Sequence, residues 1–280
     1  MKISLLTDAP KHNLALMKLS AWHKANGDKV ELNMPILPAD YRYASVLFEK
    51  SKLIADEYGG PAVDNSCLSI DTEKMKPDYD LYGLDYSLGY TFRPCFNTCD
   101  FCKVPKMEHP DIEHHSIYEF HTPEFKKICI LNNNTFQDPM WLETFQEIWD
   151  ADLTVLDENG YDLRLIDDQK ADALHRTKWA TPLHFAWDRM QDESLIIEGL
   201  KALTKHHLRS TSNGVYVLIG YNTTEAEDLH RCQVIDNYGL TPYPMPFVKN
   251  DYTRRFKRFM NLHYYRKHKT ITEAWEDYKI

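Results

Sequence analysis

The chain lacks the features that would place it in or across a membrane. No apolar run reaches the length of a membrane-spanning helix. Residues 1–8 resemble a short strand followed by an acid, not the long apolar stretch of a secretory signal. There are also no internal repeats and no low-complexity linker. We therefore expect a cytoplasmic protein without a membrane role, whose 43% hydrophobic residues suffice for a core.

The cysteines are few, but half of them are grouped. Six are present, and in a reducing compartment such cysteines favour metal or redox roles over disulfides. Cys95, Cys99 and Cys102 have the spacing C-x3-C-x2-C, with Phe101 directly before the third cysteine. Three thiolates on one loop can hold three irons of a [4Fe-4S] cluster and leave the fourth iron open. An iron with an open coordination position can take part in a reaction.

The same triad has two other interpretations. Zinc takes four ligands, and one of three nearby histidines, His109, His114 or His115, could complete a Cys3His set. The three cysteines could also be unrelated buried or disulfide-bonded residues. The remaining cysteines, Cys67, Cys129 and Cys232, are too scattered for a second cluster, and no His-x3-His pair predicts a separate metal site.

Short apolar runs alternate with helical periodicity along most of the chain. Residues 1–80 predict a small α/β region with strands at 3–6 and 30–33 and a helix at 13–26. From residue 81 onward the alternation predicts parallel β/α units. The predicted strands are 88–93, 127–131, 153–156, 183–187, 215–219 and 240–245. The predicted helices between them are 141–149, 167–176, 194–205 and 225–238.

This combination resembles the radical S-adenosylmethionine (SAM) enzymes over residues 83–248. A strand leads into the cysteine loop, polar residues 132–136 follow the second strand, and residues 217–224 follow the fifth. Pro94 and Phe96 depart from the glycine and proline often found around the first cysteine, but neither removes a ligand. The resemblance implies an α/β fold with a partial (β/α)6 TIM-like barrel over 81–248, a small N-terminal region over 1–80 and a basic helical C-terminal cap over 249–280.

The resemblance also implies a chemistry. The open iron binds the amino and carboxylate groups of SAM, and one electron from a donor such as flavodoxin or ferredoxin cleaves SAM reductively. The resulting 5′-deoxyadenosyl radical takes hydrogen from an unidentified small-molecule or nucleotide substrate. The N-terminal region faintly resembles a shortened cobalamin-binding domain. Its Asp8 and His12 do not fit that domain's Asp-x-His-x-x-Gly signature, so we do not expect cobalamin.

Residues at the ends of the predicted strands are candidates for contacting SAM, because active groups of parallel barrels gather there. Most of them have a structural alternative. These are a loop anchor for Phe101, turn chemistry for the asparagines, pairing with Asp162 or Asp167 for Arg164, a helix cap for Asp188 and a core or edge-strand role for Met245. The candidate set is Phe101, Asn132, Asn133, Asn134, Arg164, Asp188, Gly220, Tyr221 and Met245.

The charge is unevenly distributed along the chain. The net charge of −9 argues against nucleic-acid binding driven by overall charge. Residues 249–269 nevertheless hold eight basic residues and one acid. This segment either closes the barrel as a helix with solvated charges or binds RNA or DNA through phosphate contacts. The contacts would be Arg254, Arg255, Lys257 and Arg258.

Two functions of other classes compete with the radical enzyme. A non-catalytic iron–sulfur protein could bind SAM or sense redox state without cleaving SAM. A zinc-bearing nucleic-acid-binding module would be colourless and stable in oxygen.

Overall fold

The fold is described from a computed structural model over residues 1–9, 11–64, 66–107 and 111–279. Its contacts divide the chain into two compact units. The first comprises Met1–Asn133 and Asp150–Leu153, and the second comprises Asn134–Trp149 and Thr154–Ile280. Across these described ranges, no helix has both the length and the apolar composition to cross a bilayer.

The first unit begins with a four-stranded parallel sheet in the order β2-β1-β3-β4. Helix α1 connects β1 to β2, and the Asn13 side chain caps it by accepting the Leu16 N–H. The chain then crosses to the other side of β1 to form β3, so the direction of strand addition reverses between β1 and β3. These elements are β1 (Lys2–Thr7), α1 (Leu14–Ala25), β2 (Lys29–Leu32), β3 (Tyr41–Ser45) and β4 (Glu57–Gly59).

The rest of the first unit contains the strands on either side of the cysteine loop. A short helix, α2 (Ile70–Glu73), precedes them. Strand β5 (Ser87–Gly89) pairs in parallel with β6 (Lys127–Ile130). Cys129 lies fully buried in β6, where a small thiol packs well.

The second unit holds the remaining β/α elements. Four of its strands form a parallel sheet in the order β12-β11-β10-β8, and β7 pairs in parallel with β9. The strands are β7 (Thr154–Leu156), β8 (Tyr161–Asp162), β9 (Lys178–Trp179), β10 (His184–Trp187), β11 (Gly214–Ile219) and β12 (Thr241–Pro246). The helices are α3 (Trp141–Asp150), α4 (Asp168–Arg176), α5 (Glu193–Lys205), α6 (Glu225–Asn237), α7 (Asp251–Asn261) and α8 (Ile271–Lys279).

The α/β class is confirmed, and each of the six predicted strands is present as a strand. The first predicted strand is shorter than expected, since β5 ends at Gly89 and not at residue 93. The basic segment does form a helix: α7 buries Phe256, Phe259 and Met260, while Arg254 and Arg258 stay exposed. The closed arrangement of a partial barrel remains a prediction.

Candidate functional site

A buried asparagine side chain holds the stem of the cysteine loop. Asn132 Oδ1 accepts the backbone N–H of Thr91 at 2.9 Å and of Phe92 at 3.0 Å. Its Nδ2 donates to Thr91 Oγ1 at 2.9 Å. These bonds give the N–H groups of Thr91 and Phe92 acceptors in place of a partner strand, just beyond the early end of β5. Asn133 adds a bond from its Nδ2 to the carbonyl of Arg93 at 2.5 Å.

The three grouped cysteines follow this stem on an irregular loop. All three are half-buried, and none of the six cysteines forms a disulfide. The Cys102 N–H donates to the Cys99 carbonyl at 3.0 Å, and the Val104 N–H donates to Cys102 Sγ at 3.4 Å. N–H donation to a cysteine sulfur is also a feature of iron–sulfur sites, where it tunes the cluster. Phe101 is half-buried on the same loop.

The donor chemistry of the loop fits an iron–sulfur cluster, because three thiols lie within eight residues and none is consumed in a disulfide. Whether the side chains are arranged around a common point for a metal ion is a separate question. Over the residues that the structure describes, no three or more His, Cys, Asp or Glu side chains are grouped so as to hold a metal ion. The cluster therefore stays a proposal based on the donor set.

One histidine proposed for a Cys3His zinc set contacts carboxylates through both of its ring nitrogens. His115 Nε2 lies 3.1 Å from Asp111, and its Nδ1 lies 3.1 Å from Glu119. Burial lowers the pKa of His115, but the hydrogen bonds and charges of these two acids raise it overall. An imidazole with both ring nitrogens engaged by carboxylates offers no free nitrogen to a metal ion. His109 lies outside the described residues.

Arg164, a candidate for the SAM carboxylate, is paired within the second unit. Its Nε donates to Asp162 Oδ1 at 2.8 Å and its Nη2 to Asp162 Oδ2 at 2.6 Å, a two-pronged pair. Its Nη1 lies 3.5 Å from Asp192. Asn134 donates to the same Asp162 at 3.1 Å. Burial raises the pKa of Asp162, but the Arg164 hydrogen bonds and charge lower it overall.

Asp188 follows β10 at the carboxyl end of the strand and caps no helix, because α5 begins after Asp192. Burial raises its pKa to about 6, against the lowering effect of Arg231 and Arg164. Its carboxylate has no hydrogen-bond partner among the residues that the structure describes. A carboxyl group whose pKa lies this close to neutrality, at the end of a parallel strand, is a candidate functional group.

Sequence reasoning missed the most buried charge of the second unit. Arg231 on α6 is fully buried and pairs with the equally buried Asp228, its neighbour one helical turn away. The guanidinium also donates to the carbonyls of Trp187 at 2.9 Å and Leu218 at 2.7 Å, at the carboxyl ends of β10 and β11. An i,i+3 charge pair normally indicates an exposed helix face, so the sequence held no sign of this role.

Gly220 and Tyr221 have local structural explanations, whereas Met245 is exposed and the core role considered for it is wrong. Gly220 adopts a left-handed φ of +71°, and a Cβ there would meet Thr253 Cγ2 at 2.9 Å. The Tyr221 ring packs edge-on against Phe247 at a centroid distance of 4.7 Å. Met245 lies on β12 and is 43% exposed. Glycine at position 220 is therefore required by the fold alone.

The candidate residues divide between the two units. Phe101, Asn132 and Asn133 share the first unit with the cysteines. The second unit contains Asn134, Arg164, Asp188, Gly220, Tyr221 and Met245.

Comparison with known proteins adds no assignment. No protein-family model matches the chain, and a search of curated proteins finds no similar sequence. The resemblance to radical SAM enzymes thus depends on the cysteine motif, the order of strands and helices, and the residues at the strand ends.

Proposed function

We propose that this chain is a radical SAM enzyme in which Cys95, Cys99 and Cys102 hold a [4Fe-4S] cluster. The observation that carries the proposal is the group of three half-buried thiols on one loop. That loop directly follows the first of six strands in a β/α alternation. The barrel, the cluster and SAM binding are parts of this proposal. The reducing cytoplasm is the compartment in which such thiols persist.

When bound, the cluster and SAM supply the radical chemistry that abstracts hydrogen from the substrate. The chain's own residues hold the cysteine loop in place and orient the ligand. Asn132 fixes the stem of the cysteine loop through its two accepted N–H groups. Asp188 offers a carboxylate at a strand end to donor groups of a ligand, and the Arg231 guanidinium fixes the backbone beside it by donating to the Asp188 carbonyl at 3.2 Å.

A nucleotide substrate, with RNA or DNA bound by the basic segment, is the second candidate. The apolar face of α7 is buried and its basic face is left to solvent, with Arg254, Arg255 and Arg258 exposed. Arg254 is paired with Asp251 at 2.8 Å, on the same exposed face. Exposed surface pairs of this kind are weak and would yield to a phosphate.

The decisive experiment is anaerobic reconstitution with iron and sulfide, reduction with dithionite and addition of SAM. The expected product is 5′-deoxyadenosine, detected by mass spectrometry. Cys99→Ala should lose both the brown cluster and the product. Cys67→Ala is the matched control, because Cys67 is equally half-buried but lies outside the triad, and it should retain both.

Other outcomes distinguish the rivals. A cluster that forms while SAM stays whole, with an electron paramagnetic resonance change on adding SAM, would favour a non-catalytic sensor. Zinc uptake without cluster formation would reject the proposal and favour a zinc module. Equal loss in Cys67→Ala and Cys99→Ala would show that the triad has no special role.

A further inference from the structure

The first unit contains a cavity of 590 Å³ that no part of the proposed radical chemistry uses. Its walls include α1, the carboxyl ends of β3 and β4 at Ser45 and Gly59, and Arg93. The cavity therefore lies at the carboxyl edge of the parallel sheet, beside the point where strand addition reverses between β1 and β3. Open α/β sheets bind their ligands in the crevice at this position, and the volume is that of a small-molecule site.

Three half-buried charged side chains in the cavity wall contact one another. Lys18 Nζ donates to Glu73 Oε2 at 2.9 Å and to the Glu73 carbonyl at 2.5 Å. Arg93 Nη1 donates to Glu73 Oε1 at 3.1 Å. The exposed fractions of Lys18, Arg93 and Glu73 are only 17%, 20% and 12%. The cations Lys18 and Arg93 lower the pKa of Glu73 despite its burial, so this acid is charged near neutral pH.

This group carries one more positive than negative charge and retains donors. An ammonium group has three donors and a guanidinium has five. Among the described residues, the Arg93 side chain donates one hydrogen bond, to the Glu73 carboxylate. The Lys18 ammonium donates two, both to Glu73. Two further acids that line the cavity, Glu57 and Asp64, are exposed to solvent. The net positive charge of this half-buried group is only partly solvated, so a counter-ion would stabilise it.

We propose that this cavity binds a small organic anion, a carboxylate or a phosphate ester, whose negative group contacts Lys18 and Arg93. The anion completes the charge balance of the Lys18–Glu73–Arg93 group and uses its remaining donors. The apolar walls formed by Leu14, Leu19 and other residues of α1 accommodate the rest of the molecule. Binding requires neither a cluster nor SAM, although Arg93 also belongs to the stem of the cysteine loop.

Isothermal titration calorimetry of the full chain with two probes tests the site. Inorganic pyrophosphate represents phosphate esters and succinate represents carboxylates, and we expect one of them to bind with a Kd below about 1 mM. Lys18→Gln should weaken binding about tenfold or more, because a charge-assisted hydrogen bond is lost. Glu73→Gln should instead tighten binding, because the group then carries two uncompensated positive charges.

The control is Lys24→Gln on the same helix, since Lys24 pairs with Asp78 and does not line the cavity. Lys24→Gln should leave binding unchanged. If circular dichroism shows that Lys18→Gln folds poorly, Lys18→Arg takes its place, and it should bind the anion because it keeps the positive charge. The proposal is overturned if neither probe binds, or if Lys18→Gln behaves like Lys24→Gln. It is equally overturned if Glu73→Gln weakens binding as Lys18→Gln does. The Cys99→Ala protein should bind the anion normally, which separates this site from the cluster.

Discussion

Replacing Asn132 with leucine should destabilise the stem of the cysteine loop far more than a surface change would. Thr91, Phe92 and Asn132 are 0%, 1% and 1% exposed, so water cannot replace the lost bonds. Leucine is similar in size but leaves the N–H groups of Thr91 and Phe92 without acceptors. Each orphaned donor costs about 1–3 kcal/mol, so the free energy of opening the stem should fall by about 2–6 kcal/mol.

Asn132→Asp is the matched variant, because a carboxylate still accepts both N–H groups. Asp lacks the Nδ2 donor, but the Thr91 hydroxyl can rotate and donate to it. We therefore expect Asn132→Asp to retain most of the protection that Asn132→Leu loses.

Hydrogen exchange at Thr91 and Phe92, measured by NMR, reads the local opening free energy directly. A local probe is preferable because two compact units need not unfold in one step. A loss below about 1 kcal/mol in Asn132→Leu would refute the reasoning, since it is less than one orphaned donor costs. Equal losses in the leucine and aspartate variants would also refute it, because acceptance of the two N–H groups would then not matter.

Two further predictions concern Asp188 and two turns that contain glycine. Burial raises the pKa of Asp188 from 3.8 to about 6, so the folded state loses stability as pH rises from about 4 to above 6. The free energy of unfolding of Asp188→Asn, measured with urea, should equal that of the wild type near pH 4 and exceed it by up to about 3 kcal/mol at pH 7.5. A difference that stays constant across pH would contradict this. Gly220→Ala should lower the free energy of unfolding, measured by calorimetry, more than Gly27→Ala does. Both glycines have a positive φ, but only at position 220 would a new Cβ crowd a neighbour, Thr253. Equal losses of stability would rule out the crowding.

Much of the fold could be predicted because its signals are local. Strand β11 contains a compact β-branched run, and α1 begins at a capping asparagine, Asn13, where its periodicity starts. Strands β8 and β9 have only two residues each, too few for any period to appear. Strand β3 was missed although Tyr41 and Tyr43 alternate within an aromatic, β-favouring segment.

The parts of the site that were not predicted depend on contacts distant in sequence. The N–H groups just beyond the early end of β5 are accepted by Asn132, 41 residues beyond Thr91. The pairing of Arg164 was left open between a ligand, Asp162 and Asp167, and the second acid it reaches, Asp192, lies 28 residues away. Periodicity and capping rules cannot find such pairs, because they describe neighbours along one element.

These pairings change which candidates retain capacity for a ligand. A carbonyl oxygen has two lone pairs, and Asn132 Oδ1 already accepts two N–H groups, so its amide serves the scaffold. The Arg164 fork is occupied by Asp162. Asp188 differs, since its raised pKa reflects a half-buried, desolvated carboxyl group that the described residues leave without a hydrogen-bond donor. A ligand that donates hydroxyl groups to Asp188 would favour its charged form and lower its pKa, so ligand binding should shift the Asp188 titration below 6.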